Sequence, residues 1–219
     1  EFIPVAHSIP ESHALAIRTA AGTVLHTGDW KIDPTPIIGR PTDERRLREI
    51  GDGGVLALVG DSTNAGREGR SPSEQEVAKT ITELVKAARG RVAVTTFASN
   101  VARLRAVAEA AKAAEREVVV VGRAMERVVQ VARETGYLDG VQAFRGADLY
   151  GHFPPDKVLA LCTGSQGEPR AALARIANDD HPLVTLNKGD TVIFSSRTIP
   201  GNEKAVNAII NGLVTQGIE

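Results

Sequence analysis

Two short stretches carry side chains that could do chemistry together: His7-Ser-Ile-Pro-Glu11 near the start, and His26-Thr-Gly-Asp29 about one strand pair later. Imidazole and carboxylate are both direct zinc ligands, one through nitrogen and the other through oxygen. Between them, Ala14 to Thr19 and Thr23 to His26 flank Ala20-Ala21-Gly22, the pattern of a hairpin. A hairpin is what brings position 7 back beside position 29. Taken alone, one His and one Asp have a plainer account as packed or solvated side chains. The single cysteine, Cys162, ends an apolar run and reads as a buried, inert thiol. It leaves no internal disulfide, as suits a reducing compartment.

Two textures position these residues. Up to about residue 71 the chain shows short strands and turns. Asp43 to Ile50 reads as a short helix, and Gly54 to Val59 as a buried strand leading into Gly60-Asp61-Ser62-Thr63. These strands are too few for a core and read as part of a sheet completed elsewhere. From about residue 72 helices and strands alternate. Ser73 with Glu76 forms a capping box that opens a helix to about Ala88. Strands follow at Val92 to Thr96, Glu117 to Val121, Lys157 to Cys162 and Thr191 to Ser195. Helices lie near Asn100 to Ala114, Met125 to Thr135, Pro169 to Ala177 and Asn202 to Thr215. The stripe Val101, Leu104, Val107, Ala108, Ala111 suits a helix that covers a sheet. This alternation predicts a parallel, doubly wound sheet with helices on both faces.

Ligands of such a sheet bind beyond the carboxyl ends of its strands. Four strand ends here are polar or glycine-rich, and they offer Ser99 and Asn100, then Arg123, then Ser165 and Gln166, then Ser196, Arg197 and Asn202. Helix N-termini present N–H groups to anions, glycines admit a phosphate to the backbone, and Arg123 and Arg197 add charge. A phosphate-bearing ligand is the reading of these loops, with turn and cap residues as the bland alternative. No Gly-x-Gly-x-x-Gly and no Walker loop is present, although a nucleotide- or cofactor-binding α/β domain stays a rival. With a net charge of -1, nucleic-acid contact calls for a local groove rather than bulk charge. No stretch approaches the length of a membrane span.

Taken in order, His7-Ser-Ile-Pro-Glu11, His26-Thr-Gly-Asp29, Asp61-Ser-Thr-Asn-Ala65, Thr96-Phe-Ala-Ser-Asn100, Thr163-Gly-Ser-Gln-Gly-Glu-Pro169 and Ile199-Pro-Gly-Asn-Glu203 resemble the ribonuclease J family. These are bacterial metallo-β-lactamase superfamily proteins with an inserted β-CASP domain. The resemblance implies an α/β chain: a partial metallo-β-lactamase αββα sandwich segment over 1–71, then a β-CASP domain over 72–219, truncated at its C-terminal end, with a mainly parallel, doubly wound sheet. It implies zinc-dependent hydrolysis of RNA phosphodiesters, as 5′-to-3′ exonuclease and endonuclease, with two zinc ions (Zn2+) activating a water. His7 matches a metal ligand, Asp29 the carboxylate that bridges the metals, and Asp61 an acidic residue supporting catalysis. His26 falls to supporting the Asp29 loop. The strand-end residues named above become RNA contacts. The implied partner is RNA, preferably 5′-monophosphorylated, with a homodimer or homotetramer in the full-length protein and a cytoplasmic location.

The family's His-x-His-x-Asp-His motif lies upstream of these residues, and its 5′-phosphate motif and last His ligand lie downstream. None is in this chain. The chain opens without Met, in what reads as mid-strand, so it is expected to be a piece of a longer protein. By itself it is expected to be inactive, with at most one weakly held zinc. A non-catalytic RNA-binding module and a DNA-directed β-CASP nuclease are the alternatives. Trp30 is expected to pack the loop after Asp29, His13 and His152 to lie on the surface or in turns, and Asp179-Asp180-His181 to be a polar turn.

Overall fold

The hairpin expected between the two histidine-containing stretches is present in the computed structural model, which describes residues 1–219. Strands β2 (His13–Thr19) and β3 (Gly22–His26) pair antiparallel, closing at Thr19 opposite Gly22. Gly22 takes φ +141°, a backbone few side chains tolerate, and its carbonyl accepts a 2.9 Å bond from the Thr19 hydroxyl. The chain divides into two compact units, Glu1–Val77 and Ala78–Glu219.

In the first unit β1 (Phe2–Pro4), β2, β3 and β4 (Ala57–Val59) form one sheet in that order. β1 lies antiparallel to β2, and β4 parallel to β3, so β1, β3 and β4 point the same way. Alternation puts Ile3, Ala14, Ala16 and Leu25 on one face, where they are buried with Ile50 of helix α1 (Glu44–Asp52). Asp43 caps α1 by accepting the Arg46 N–H at 2.9 Å. The opposite face is bare: Phe2 is 74% exposed, Val59 50% and Ile17 48%.

The strand expected to be buried over 54–59 is shorter and exposed, with Leu56 and Leu58 both near two-thirds open. The physical reason is position. β4 is an edge strand that pairs only with β3, and its apolar residues wait for cover that this unit does not supply.

The second unit follows the alternating pattern. Helix α2 (Glu74–Ala87) leads in across the division. β5 (Val92–Thr95), α3 (Val101–Ala113), β6 (Glu117–Val121), α4 (Arg123–Glu134), β7 (Phe144–Arg145), β8 (Val158–Cys162), α5 (Ala172–Ala177), β9 (Thr191–Phe194) and α6 (Glu203–Thr215) complete it. The sheet order is β7-β6-β8-β5-β9 and every pairing is parallel. One sheet face, through Ala93, Val119, Val158, Ala160 and Cys162, packs with Leu173, Ile176, Ile209 and Leu213 of α5 and α6. The alternate positions Val92, Val94, Val118, Leu159 and Leu161 are equally buried, while α3 and α4 pack on one another and on β6. Helices therefore cover both faces, as a parallel sheet requires.

Two features went unanticipated: β7, too short to carry a period, and a pair of 3-10 turns at Ala147–His152 and Pro155–Lys157. Helix α5 also starts three residues later than expected. Pro169 lies in a turn closed by the Ala171 N–H to the Glu168 carbonyl, and Leu173 N–H is held by the Thr163 carbonyl at 3.0 Å. β8 lies at the sheet centre and its five residues are fully buried. Leu161→Ala is accordingly expected to lower unfolding free energy by about 2–5 kcal/mol, read as a lower denaturant midpoint with an unchanged slope.

Candidate functional site

Because β1, β3 and β4 share a direction, their carboxyl ends release the chain at one edge of the first sheet. His7 follows β1, Asp29 follows β3, and Asp61 follows β4. An antiparallel bridge between Ala6 and Lys31 then sets His7 beside Trp30. The turn that presents Asp29 depends on Gly28, whose φ is +60°, and on His26, whose Nδ1 accepts the Gly28 N–H at 3.0 Å. Asp29 is exposed at the tip. Trp30 is half-buried against the apolar cluster of this unit, which packs the loop as expected.

Thr27 is buried and ties the two turns together. Its N–H reaches the Val59 carbonyl at 2.9 Å. Its hydroxyl donates to the Gly28 carbonyl at 2.8 Å and accepts the Asp61 N–H at 3.2 Å. Asp61 accepts the Thr63 hydroxyl at 2.6 Å and the Thr63 N–H at 2.9 Å. Those bonds, with lesser help from the His7 charge and the Trp30 N–H, hold its carboxyl below the usual carboxylate range. Asp61 is thus a fixed anion beside His7.

Behind this edge, Lys31 Nζ lies 3.0 Å from both Asp33 and Glu74. Asp33, fully buried, also accepts the Glu74 N–H at 2.9 Å, so the loop after Asp29 is nailed to the first turn of α2. The expected capping box is formed there: Ser73 Oγ accepts the Glu76 N–H and Glu76 accepts the Ser73 N–H. A cleft of about 840 Å³ opens beside Asp61, with Trp30, Lys31, Asn64 and Arg70 among its walls. No group of three or more His, Cys, Asp or Glu side chains is placed to hold a metal. His7, Asp29 and Asp61 by themselves therefore do not fit a two-zinc centre.

The second unit has its own polar edge. All five strands are parallel, so the loops after β5, β6, β8 and β9 emerge together. They carry every residue read as a phosphate contact, but the side chains are not equally available. Ser99, Arg123 and Arg197 are exposed, and Ser196 and Asn202 half-buried. Asn100 is buried and caps α3 by accepting the Arg103 N–H at 3.0 Å. Ser165 and Gln166 are buried as well. The Gln166 amide nitrogen donates to the Arg197 carbonyl at 2.8 Å and the Ser196 hydroxyl at 3.3 Å. Its oxygen accepts the Ile199 N–H at 2.8 Å and the Asn202 side-chain amide at 3.3 Å.

The glycines of this loop also differ from the reading that they admit phosphate. A Cβ on Gly167 would lie 2.6 Å from the Ala205 backbone of α6, and one on Gly164 2.8 Å from Leu173. They allow helices to approach the sheet edge closely.

Residues 89–213 match the family model described as the β-CASP domain of ribonuclease J. The chain belongs to the ribonuclease J family. It is 60% identical to a ribonuclease J of Sinorhizobium meliloti over 218 residues, covering 100% of this chain and 39% of that relative. It is 48% identical to one of Mycolicibacterium smegmatis over 97% of the chain and 38% of the relative. A third, from Thermus thermophilus, is 44% identical over 96% of the chain and 37% of the relative. The chain thus spans well under half the length of the ribonuclease J proteins it matches.

Sequence reasoning passed over one polar residue at the sheet edge of the second unit. Arg103 is buried on α3, and its Nη1 donates to the Ser195 carbonyl at 2.7 Å and the Ser195 hydroxyl at 2.6 Å. It joins the start of α3 to the end of β9. The only local signal was an Arg beside the apolar stripe, which reads equally well as solvated.

Proposed function

We propose that this chain is the part of a ribonuclease J-type enzyme that sets one edge of the hydrolytic centre and guides RNA to it. What supports the reading is the convergence of His7, Asp29 and Asp61 on one strand-end edge, in a chain 60% identical along its whole length to a protein named ribonuclease J. In this reading His7 and Asp29 contribute to a metal-binding centre whose other ligands lie outside this chain, and zinc is the metal. When bound, zinc supplies an activated water and charge for phosphodiester cleavage. The chain's own residues do the positioning. Thr27 registers the Asp29 turn against Asp61, and Asp61 stays ionised as a fixed negative charge beside His7. Exposed Arg123 and Arg197, with Ser99, bind phosphate oxygens without reading bases.

The full-length enzyme is proposed to act on 5′-monophosphorylated RNA, both exonucleolytically and endonucleolytically, in the cytoplasm, as a homodimer or homotetramer. For residues 1–219 alone the lack of a three-ligand cluster favours binding without hydrolysis. The test uses a full-length protein carrying this chain, given 5′-monophosphorylated RNA and DNA of the same sequence. Cleavage of RNA, with affinity falling steeply as salt rises, is the expected result. Preferential cleavage of DNA, or RNA binding with no cleavage in the presence of zinc, would overturn it.

A further inference from the structure

Gln166 stands out among the residues at the crevice edge. It is only 6% exposed. Its amide has two donor hydrogens and an oxygen with two lone pairs. All four are engaged, and all within the segment after β9: Ser196, Arg197, Ile199 and Asn202. Nothing is left over for a ligand. The backbone supports the same arrangement, since Gln166 N–H is held by the Glu168 carboxylate at 3.1 Å and Gly167 lies tight against Ala205 of α6. The loop after β8 is thereby locked to the loop after β9.

What the clamp presents follows from which atoms it holds. It takes the carbonyl of Arg197 and the N–H of Ile199, both backbone groups, and leaves the Arg197 side chain exposed. From the other side, Arg103 and Thr96 grip the Ser195 carbonyl. The backbone is therefore fixed on both sides of Arg197 while its guanidinium stays free to swing onto a phosphate. We infer that Gln166 is a positioning residue for nucleic acid: it sets the 196–202 loop so that Arg197 meets the phosphodiester backbone, and it makes no RNA contact itself. The inference rests on the RNA-guiding role proposed above.

A double-mutant cycle in the full-length protein tests it. Arg197→Ala is expected to weaken binding of single-stranded RNA and to reduce the salt slope by about 0.7, the share of one phosphate contact. Gln166→Ala is expected to weaken binding roughly tenfold, the worth of one hydrogen bond to a charged group, by raising KM with kcat on saturating RNA little changed. The double variant should be no worse than the more severe single one. Amide exchange supplies a readout independent of RNA, because the Ile199 N–H loses its acceptor in Gln166→Ala and should exchange faster. Gln166→Glu is the second variant should alanine prevent folding. It keeps the volume and the Ile199 bond but cannot donate to the Arg197 carbonyl, and it should reproduce the KM effect.

Additive losses in the double variant, or unchanged KM in a folded Gln166→Ala or Gln166→Glu, would overturn the positioning role. Unchanged Ile199 exchange in a folded Gln166→Ala would overturn the clamp itself. A wild-type protein that binds no RNA would instead remove the reading underneath, and the exchange experiment distinguishes that case because it needs no RNA.

Discussion

Replacing Asp29 by alanine in a full-length protein carrying this chain is expected to cut RNA hydrolysis by roughly a hundredfold or more, because even the partners of metal-ligating side chains are worth about 10- to 100-fold and Asp29 is proposed as a ligand itself. Stability should hardly move. Asp29 is exposed at the tip of the β3 turn, and the turn is formed by the backbone of Gly28 and the ring of His26. Surface substitutions of that kind stay within about 0.5 kcal/mol. Activity on a short 5′-monophosphorylated RNA, read beside a melting curve, checks both halves. Near-normal activity in the folded variant would remove Asp29 from the centre. A large drop in melting temperature would mean the turn depends on the carboxylate for structure.

The second large effect concerns folding. Residues 78–219 expressed alone should unfold cooperatively, whereas residues 1–77 alone should associate and bind a hydrophobic dye. The second unit has a five-stranded sheet covered on both faces. The first has a core of only six buried residues, a bare apolar face through Phe2, Ile17 and Val59, and an edge strand with nothing beside it. Exposed apolar edges of this sort pair with other chains, and so small a core is marginal without help. Size-exclusion chromatography with denaturant titration checks the pair. A monomeric residues 1–77 with a cooperative transition would contradict the account.

Legibility in the sequence followed the range of the interactions. Local rules found the hairpin, the Ser73–Glu76 capping box and all but the shortest strand of the second unit, because each is written within a few residues. The bare β4 was misjudged because an apolar run says nothing about whether a neighbour is there to bury it. The grouping of His7, Asp29 and Asp61 at one edge was legible only through the family motifs. No spacing rule joins positions 7 and 61. Gln166 and Arg103 were opaque for the same reason: their partners lie about thirty and ninety residues away, and a glutamine in a polar loop reads the same whether it faces solvent or staples two loops. The Lys31–Asp33–Glu74 cluster, which joins residues 41 apart or more, belongs in that class.

The pairing of β5 with β9 sets a timetable for synthesis. Val92 meets Thr191, so one flank of β5 has no neighbour until about a hundred further residues have left the ribosome, a wait of roughly 5–20 s at ordinary translation speeds. Its other flank meets β8 only somewhat sooner. Until β8 and then β9 emerge, the nascent chain carries a short Val-rich strand with open flanks, free to pair with another chain.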